Sequence, residues 1–441
     1  MFVGRSLPPA AAPIGPRAFA SGFRGMLHGQ KALERFQSEL KEYFGVKHCF
    51  LVSSGRAAFT LILLALKELF PGRDDVIIPA FTCYSVPSSV VRAGLRIKLC
   101  DLHPDSLDLN FAQLSTMFSE ATRPRQADAH LAGGVTNLRG GASDAAGSSR
   151  DPIKMQLAVV PTHLFGFPSD VPALRALILD QGVTIVEDAA QAMGETWEGR
   201  KLGTLGDVGF FSLGRGKAFS TVEGGVILTD RDDIAEVLRH RVGSLPCYGF
   251  WRLMSLISKA AGLMLFTHPW LFWIPRSMPF LSLGETLFER HFPILRMSSF
   301  QAGLTANWRE RLQKMRDARK TNVNRWMGIL EETRNRALCF RLPQSLGLLR
   351  FPIRVRDVKN RQLLLQESTN KGAGITPVYP ESINRLSELR GEIPAEAFTV
   401  AESYARELVT LPTHDYVTQK DVTVVRQLLS HALAVRGFQP P

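Results

Sequence analysis

Residues 183–194 read Val-Thr-Ile-Val-Glu-Asp-Ala-Ala-Gln-Ala-Met-Gly. Residues 209–217 read Gly-Phe-Phe-Ser-Leu-Gly-Arg-Gly-Lys, and Val222-Glu223-Gly224-Gly225 closes the stretch. The first run is an apolar strand that ends on a carboxylate, Asp188. A charge at the end of a buried strand needs a cation or a hydrogen-bond donor facing it. The second run is a strand ending at Ser212, and its glycine-rich turn presents Lys217 into a cavity rather than on a solvated helix face. A desolvated lysine loses its proton and becomes a nucleophile towards carbonyls. Upstream, the apolar strand His48–Val52 runs through Ser53-Ser54-Gly55-Arg56 into the apolar helical run Ala57–Leu69. Free backbone N–H groups at such a helix start attract phosphate. Carboxylate, phosphate cradle and nucleophilic lysine together are what pyridoxal 5'-phosphate (PLP) requires.

Around these runs strands and helices alternate. Strands are expected at Val76–Pro79, Arg96–Cys100, Gln156–Pro161, Val183–Glu187, Val208–Ser212 and Gly225–Thr229. Helices are expected at Gln30–Phe44, Ser85–Ala93 and Val171–Asp180. This order indicates an α/β fold with a largely parallel sheet, whose ligands sit at the carboxyl ends of strands. Ser54, Asp188 and Ser212 then become candidates for one pocket. From Met297 the pattern changes to a smaller α+β unit: a helix over Ser298–Ala318, a strand over Leu348–Val355, and helices over Asp357–Asn370 and Asp421–Val435. The expected division is an irregular N-terminal arm (1–28), a large domain (29–245) with a flexible insertion at about 120–151, an aromatic insertion (246–295) and a C-terminal domain (296–441).

The 441 residues are 45% hydrophobic and 21% charged, which excludes a disordered, collagen-like or coiled-coil chain. The net charge of +12 favours anionic partners. Nucleic acid is disfavoured, because the basic residues are dispersed and no reader motif is present. Five scattered cysteines without metal-ligand spacing point to a reduced, cytoplasmic setting and no metal. Residues 1–24 lack the apolar core of a signal peptide. Trp251–Leu283 is rich in Trp, Phe and Leu but too short and interrupted for a membrane span. It reads as a covered interface or lid, as a peripheral contact with an anionic membrane beside Arg252, Lys259 and Arg276, or as a site for an apolar part of the substrate.

In order and spacing the chain resembles the DegT/DnrJ/EryC1/StrS family of fold type I PLP enzymes. The landmarks are Ser53–Ala58, Ile78-Pro79-Ala80-Phe81-Thr82, Pro161–Gly166, Glu187–Ala192, Ser212 with Lys217, Glu223-Gly224-Gly225, Arg296-Met297-Ser298, Tyr379-Pro380 and Leu411-Pro412. The resemblance implies a mixed, mostly parallel seven-stranded sheet flanked by helices, PLP as cofactor, and amino transfer from an amino acid, usually glutamate, to a nucleotide-linked keto-sugar. It also implies a homodimer. Lys217 would be the Schiff-base lysine, Asp188 the partner of the pyridine nitrogen, and Gln191 a neighbour of the ring. Ser54, Gly55 and Ser212 would contact phosphate. The chain departs from the family where Arg56 replaces the usual Thr, and where Cys83 replaces an aromatic residue, leaving Tyr84 to stack. It departs again where Ile294-Leu295 replaces an Asn that reaches the partner subunit. Taken singly, each residue has an ordinary reading: Lys217 on the surface, Asp188 as a strand cap, Gln191 and Arg56 as solvated side chains, the serines as turn polar groups. His163 reads as structural.

Overall fold

The computed structural model describes residues 4–122, 156–179, 181–278, 286–342, 345–394 and 396–434. Two helices lead in, α1 (Pro16–His28) and α2 (Gln30–Phe44). There follow β1 (His48–Val52), α3 (Gly55–Leu69), β2 (Asp75–Pro79), α4 (Ser85–Arg92), β3 (Arg96–Cys100), α5 (Phe111–Thr122), β4 (Gln156–Val159), α6 (Val171–Ile178) and β5 (Thr184–Asp188). A small hairpin, β6 (Thr196–Trp197) and β7 (Arg200–Lys201), precedes β8 (Val208–Ser212), β9 (Gly225–Thr229) and α7 (Asp232–Gly243). The main sheet has the order β1-β9-β8-β5-β4-β2-β3. Its β8-β5-β4-β2-β3 part is parallel, and β9 runs antiparallel to both β1 and β8. The expected mixed, mostly parallel seven-stranded sheet is present.

Alternate side chains of each strand enter two cores. Val76 and Ile78 join α3, α4 and α7 on one face, while Ile77 joins α2, α5 and α6 on the other. Burial on both faces explains why these strands read as continuous apolar runs rather than alternating ones. The expected insertion at 120–151 lies almost wholly outside the described residues.

The segment after α7 holds α8 (Phe250–Phe266) and the single turn α9 (Trp273–Arg276). Leu256 and Ala260 of α8 pack with Ile14, Ala18 and Phe300, but Phe250, Trp251, Leu265 and Trp270 are exposed, Trp251 to 82%. Residues 279–283 of the aromatic stretch are outside the described residues. No described helix is long and apolar enough to cross a membrane.

Next come α10 (Ser299–Gly303), α11 (Trp308–Glu332), β10 (Arg350–Arg354), α12 (Val358–Lys371), β11 (Thr376–Pro377), α13 (Thr399–Glu407), β12 (Leu408–Pro412) and α14 (Gln419–Ala434). The second sheet, β10-β12-β11, is antiparallel and packs with α11, α12 and α14 into the core that α3 also shares.

Two expectations need correction. The helix expected over 298–318 is broken: α10 ends early, and Asn307 adopts the left-handed conformation (φ 53°) before α11 begins. A left-handed residue cannot sit inside a right-handed helix. The other correction concerns 1–28, expected as an irregular arm, where residues 16–28 form α1. Pro16 starts this helix, and Gly22 and Gly25 let it lie directly on α10. A Cβ on Gly25 would stand 2.6 Å from the Gly303 Cα. Residues 4–15 remain extended yet firmly seated: Leu7, Ala11 and Ile14 are buried, and the Leu7 N–H donates to Gly372 O at 2.8 Å.

Candidate active site

The carboxyl ends of β5 and β8 and the start of α3 enclose a cavity of about 170 Å³ lined by Ser54, Gly55, Arg56, Asp188, Gln191, Ser212 and Lys217, together with Cys83, Ser85, Ser89 and Phe210. Seven of the eight residues expected from sequence therefore meet in one place. The eighth, Tyr84, is not among the lining residues; its hydroxyl is pinned to the backbone of Glu381, donating to O at 3.0 Å and accepting from N–H at 2.9 Å. Cys83 takes the place in the wall.

Adjacent carboxylates on β5 have opposite surroundings. Glu187 is fully buried and accepts from Leu205 and Gly206 N–H, each at 2.7 Å, from Gly203 N–H and from His163 Nε2 at 2.9 Å. His163 Nδ1 accepts from Ser169 N–H at 2.9 Å, so the ring braces the loop behind Glu187. Among the described residues the Asp188 carboxylate accepts from Ala190 N–H alone, at 3.0 Å. Burial pushes its pKa up, opposed by that N–H and by the nearby Lys217 and His163. A buried carboxylate with a free oxygen demands a cationic partner from the cavity.

Lys217 is half-buried, and its amine has no hydrogen-bond or carboxylate partner among the described residues. Its turn is held from behind by Arg319, which is 1% exposed and donates to the carbonyls of Lys217 and Ala218 at 3.3 and 3.1 Å. Sequence reasoning passed over Arg319; an arginine inside the otherwise polar α11 gave no sign of burial.

Opposite stands the start of α3. Ser54 caps it, its hydroxyl accepting from Ala57 N–H at 3.1 Å, and Gly55 follows. A Cβ on Gly55 would stand 2.7 Å from the Ser212 Cβ, so glycine lets the helix start abut the end of β8. The first N–H groups of a 15-residue helix thus open onto the cavity. Arg56 contributes to the wall, while its guanidinium pairs with Glu289 and lies 4.9 Å from the Phe292 ring. The strand-like residues Leu295 and Ser53 clamp this turn through Ser53 N–H to Leu295 O (3.0 Å) and Leu295 N–H to Ser53 Oγ (3.1 Å).

Gln191 is oriented at both ends: its Oε1 accepts from Phe165 N–H and its Nε2 donates to the Tyr379 hydroxyl, each at 3.3 Å. Burial raises the pKa of Tyr379 well above its ordinary value, so it stays protonated. Tyr379 stood out in the sequence beside Pro380, but no spacing rule tied it to Gln191, which lies 188 positions earlier.

The donor set fits PLP at three points: an N–H cradle for phosphate, an unpaired amine for the aldehyde carbon, and an under-satisfied buried carboxylate for the ring nitrogen. This site at the carboxyl edge of such a sheet is that of the fold type I PLP-dependent transferases. The chain belongs to the DegT/DnrJ/EryC1/StrS aminotransferase family, whose sequence profile matches residues 23–252 and 286–430. It is 29% identical over 237 residues to the GDP-perosamine synthase of Caulobacter vibrioides, covering 52% of this chain and 54% of the relative. It is 24% identical over 407 residues to the spore coat polysaccharide biosynthesis protein SpsC of Bacillus subtilis, covering 90% and 88%. The chain thus spans about half the length of the first of these relatives and most of the second. An aminotransferase from Psychrobacter cryohalolentis has the same fold, with a TM-score of 0.71 at 17% identity over 96% of this chain and 98% of that one.

Proposed function

We propose that the protein is a PLP-dependent aminotransferase that moves an amino group from an amino acid, glutamate in the first instance, to a keto-sugar carried on a nucleotide, for polysaccharide or glycoconjugate synthesis. The observation that carries this reading is the single cavity shared by the Lys217 amine, the Asp188 carboxylate and the start of α3. The relatives named as a GDP-perosamine synthase and a spore coat polysaccharide protein support the sugar acceptor.

Bound there, PLP would supply an electron-withdrawing ring that acidifies the donor's α-hydrogen and stores the amino group between half-reactions. Ser54, Gly55 and Ser212 would hold its phosphate, Asp188 would keep the ring nitrogen protonated, and Gln191, braced by Tyr379, would lie beside the ring. Lys217 Nζ would take and return the proton in each half-reaction. Arg56 belongs to the phosphate wall by position, with Glu289 competing for its guanidinium. The large unit 29–245 provides the cavity and the unit 296–441 closes beside it.

The protein acts as a homodimer in the cytoplasm. All five cysteines are free thiols, in keeping with a reducing compartment. The exposed side chains of Phe250, Trp251, Leu265 and Trp270 are the surface a second copy would cover. Of the three cations that would draw this segment to an anionic membrane, Lys259 is paired with Glu223 at 2.8 Å and Arg276 is partly buried on the Ser6 hydroxyl. Apolar area rather than charge therefore dominates there, and a protein partner satisfies it better than lipid. Flotation with anionic vesicles at low salt would reverse that assignment and give the peripheral membrane contact.

The test of the activity is direct. Purified protein mixed with PLP should show an absorption band that borohydride abolishes, and glutamate should bleach it. Lys217→Ala should remain folded, bind PLP only reversibly and lose turnover on nucleotide-linked keto-sugars by at least 1,000-fold, on the scale of removing a covalent catalyst. Turnover within tenfold of wild type would refute the role of Lys217.

A further inference from the structure

A second concavity, separate from the cavity above, runs between α1, the start of α2 and the α10–α11 junction, with a volume of about 910 Å³. Its walls carry Arg17, Arg24, Lys31, Arg35 and Arg311 against one acid, Glu310. Arg35 is shared with Glu39 at 3.6 Å, but Arg17, Arg24, Lys31 and Arg311 have no carboxylate partner among the described residues. Arg311 is the informative one. Its guanidinium lies 4.7 Å from the Phe219 ring and donates to Leu304 O at 2.8 Å, and burial pushes its pKa down to about 10. A partly buried cation held only by the Leu304, Ala306 and Pro13 carbonyls and a ring face has no opposite charge, and it remains open to an anion in the space beside it. Loose lysines and arginines on a surface need no explanation. A walled groove with four uncompensated cations, one of them fixed in its floor, does.

We propose that this groove binds a pyrophosphate group. Arg17, Arg24 and Lys31 would meet its oxygens from α1 and α2, and Arg311 would set the depth at which the anion rests. Arginine's planar fork suits phosphate oxygens in pairs, and the single acid, Glu310, leaves a net excess of positive charge that one phosphate monoester would not use up. The size lies in the range of small-molecule sites. The lining offers no Phe, Tyr or Trp to stack a base, only the exposed His28 imidazole, so recognition centres on the phosphates more than on what they carry. A nucleoside diphosphate and a lipid pyrophosphate headgroup share that chemistry. The inference stands on the groove alone and does not depend on the aminotransferase reading.

The experiment uses full-length protein saturated with PLP, so that the cofactor cavity is not available, and titrates it calorimetrically with inorganic pyrophosphate and with GDP in 50 mM salt. Binding should weaken at least tenfold in the double variant Arg24→Ser, Lys31→Ser and fall steeply as salt rises. Circular dichroism and thermal melting show that the variant is folded. GDP binding as tightly as pyrophosphate, and weakened at least tenfold by the same double variant, would identify a nucleotide as the source. Vesicles of phosphatidylcholine doped with a polyprenyl pyrophosphate, floated by wild type and not by the variant, would identify a lipid. Both results uphold the site. No heat at 1 mM of either soluble probe overturns it, as does equal binding by the variant.

Discussion

Asp188 and Glu187 show how adjacent carboxylates on one strand can have opposite surroundings. Both are buried carboxylates at the end of β5, yet among the described residues Glu187 has four donors and Asp188 one. Asp188→Asn keeps the Ala190 contact and the packing but cannot hold a proton on a ring nitrogen. It should leave the melting temperature within a few degrees and lower turnover at least 100-fold, read in single-turnover assays with glutamate. Glu187→Ala should do the reverse and destabilise the fold by about 3–5 kcal/mol, the usual penalty for emptying a buried charged network, measured by urea denaturation. The sequence made Asp188, Lys217 and the Ser54–Gly55 turn legible because each ends an apolar strand or opens an apolar helix, where polarity is conspicuous. Tyr379 and Arg319 were not legible in their roles, since both act through contacts with residues about a hundred or more positions away. Tyr84 was expected to stack, and the neighbouring hydrogen bonds to Glu381 turn its hydroxyl elsewhere.

At the scale of elements, the strands of the main sheet were readable almost to the residue. Buried strands carry apolar runs, and Asp188, Ser212 and Gly225 mark ends of β5, β8 and β9. The helix α1 was hidden by its composition. Proline, alanine and glycine look like a linker, but here glycine permits contact between helix backbones. Gly25→Leu would drive a side chain into the Ser299 carbonyl and the Gly303 backbone, neither of which can rotate aside. A cost of about 3 kcal/mol or more is expected, seen as an earlier urea midpoint, whereas Gly29→Ala, with open space around its Cβ, should cost only its backbone strain. The break between α10 and α11 was invisible for a related reason. The apolar spacing continues through it, and only the φ of Asn307 reveals the turn.

On the scale of the whole molecule, sedimentation should find a dimer of the 48.9 kDa chain. A fully active monomer would contradict the assembly. Acid stability has a named contributor in His414, which is buried and whose Nε2 bonds Pro8 O at 2.7 Å. Burial lowers its pKa from 6.5 to about 4. The unfolded chain therefore takes up the proton first. The contribution is complete above pH 6.5 and is lost as pH falls towards 4, by about 3 kcal/mol in all. Urea midpoints between pH 7 and 4.5 should fall less steeply in His414→Gln than in wild type. That histidine is one stitch of a longer seam. Arg5 pairs with Asp421, Leu7 bonds Gly372, Pro8 receives His414, and Ala11 O shares Arg319 with the Lys217 turn. Every one of those partners except the turn is made more than 300 residues after the arm itself. During synthesis, then, the arm is made more than 300 residues before the partners that fix it, and it finds its place only after they emerge. The lysine turn it helps to brace reaches its final rigidity only once Arg319, 102 residues further on, has been made.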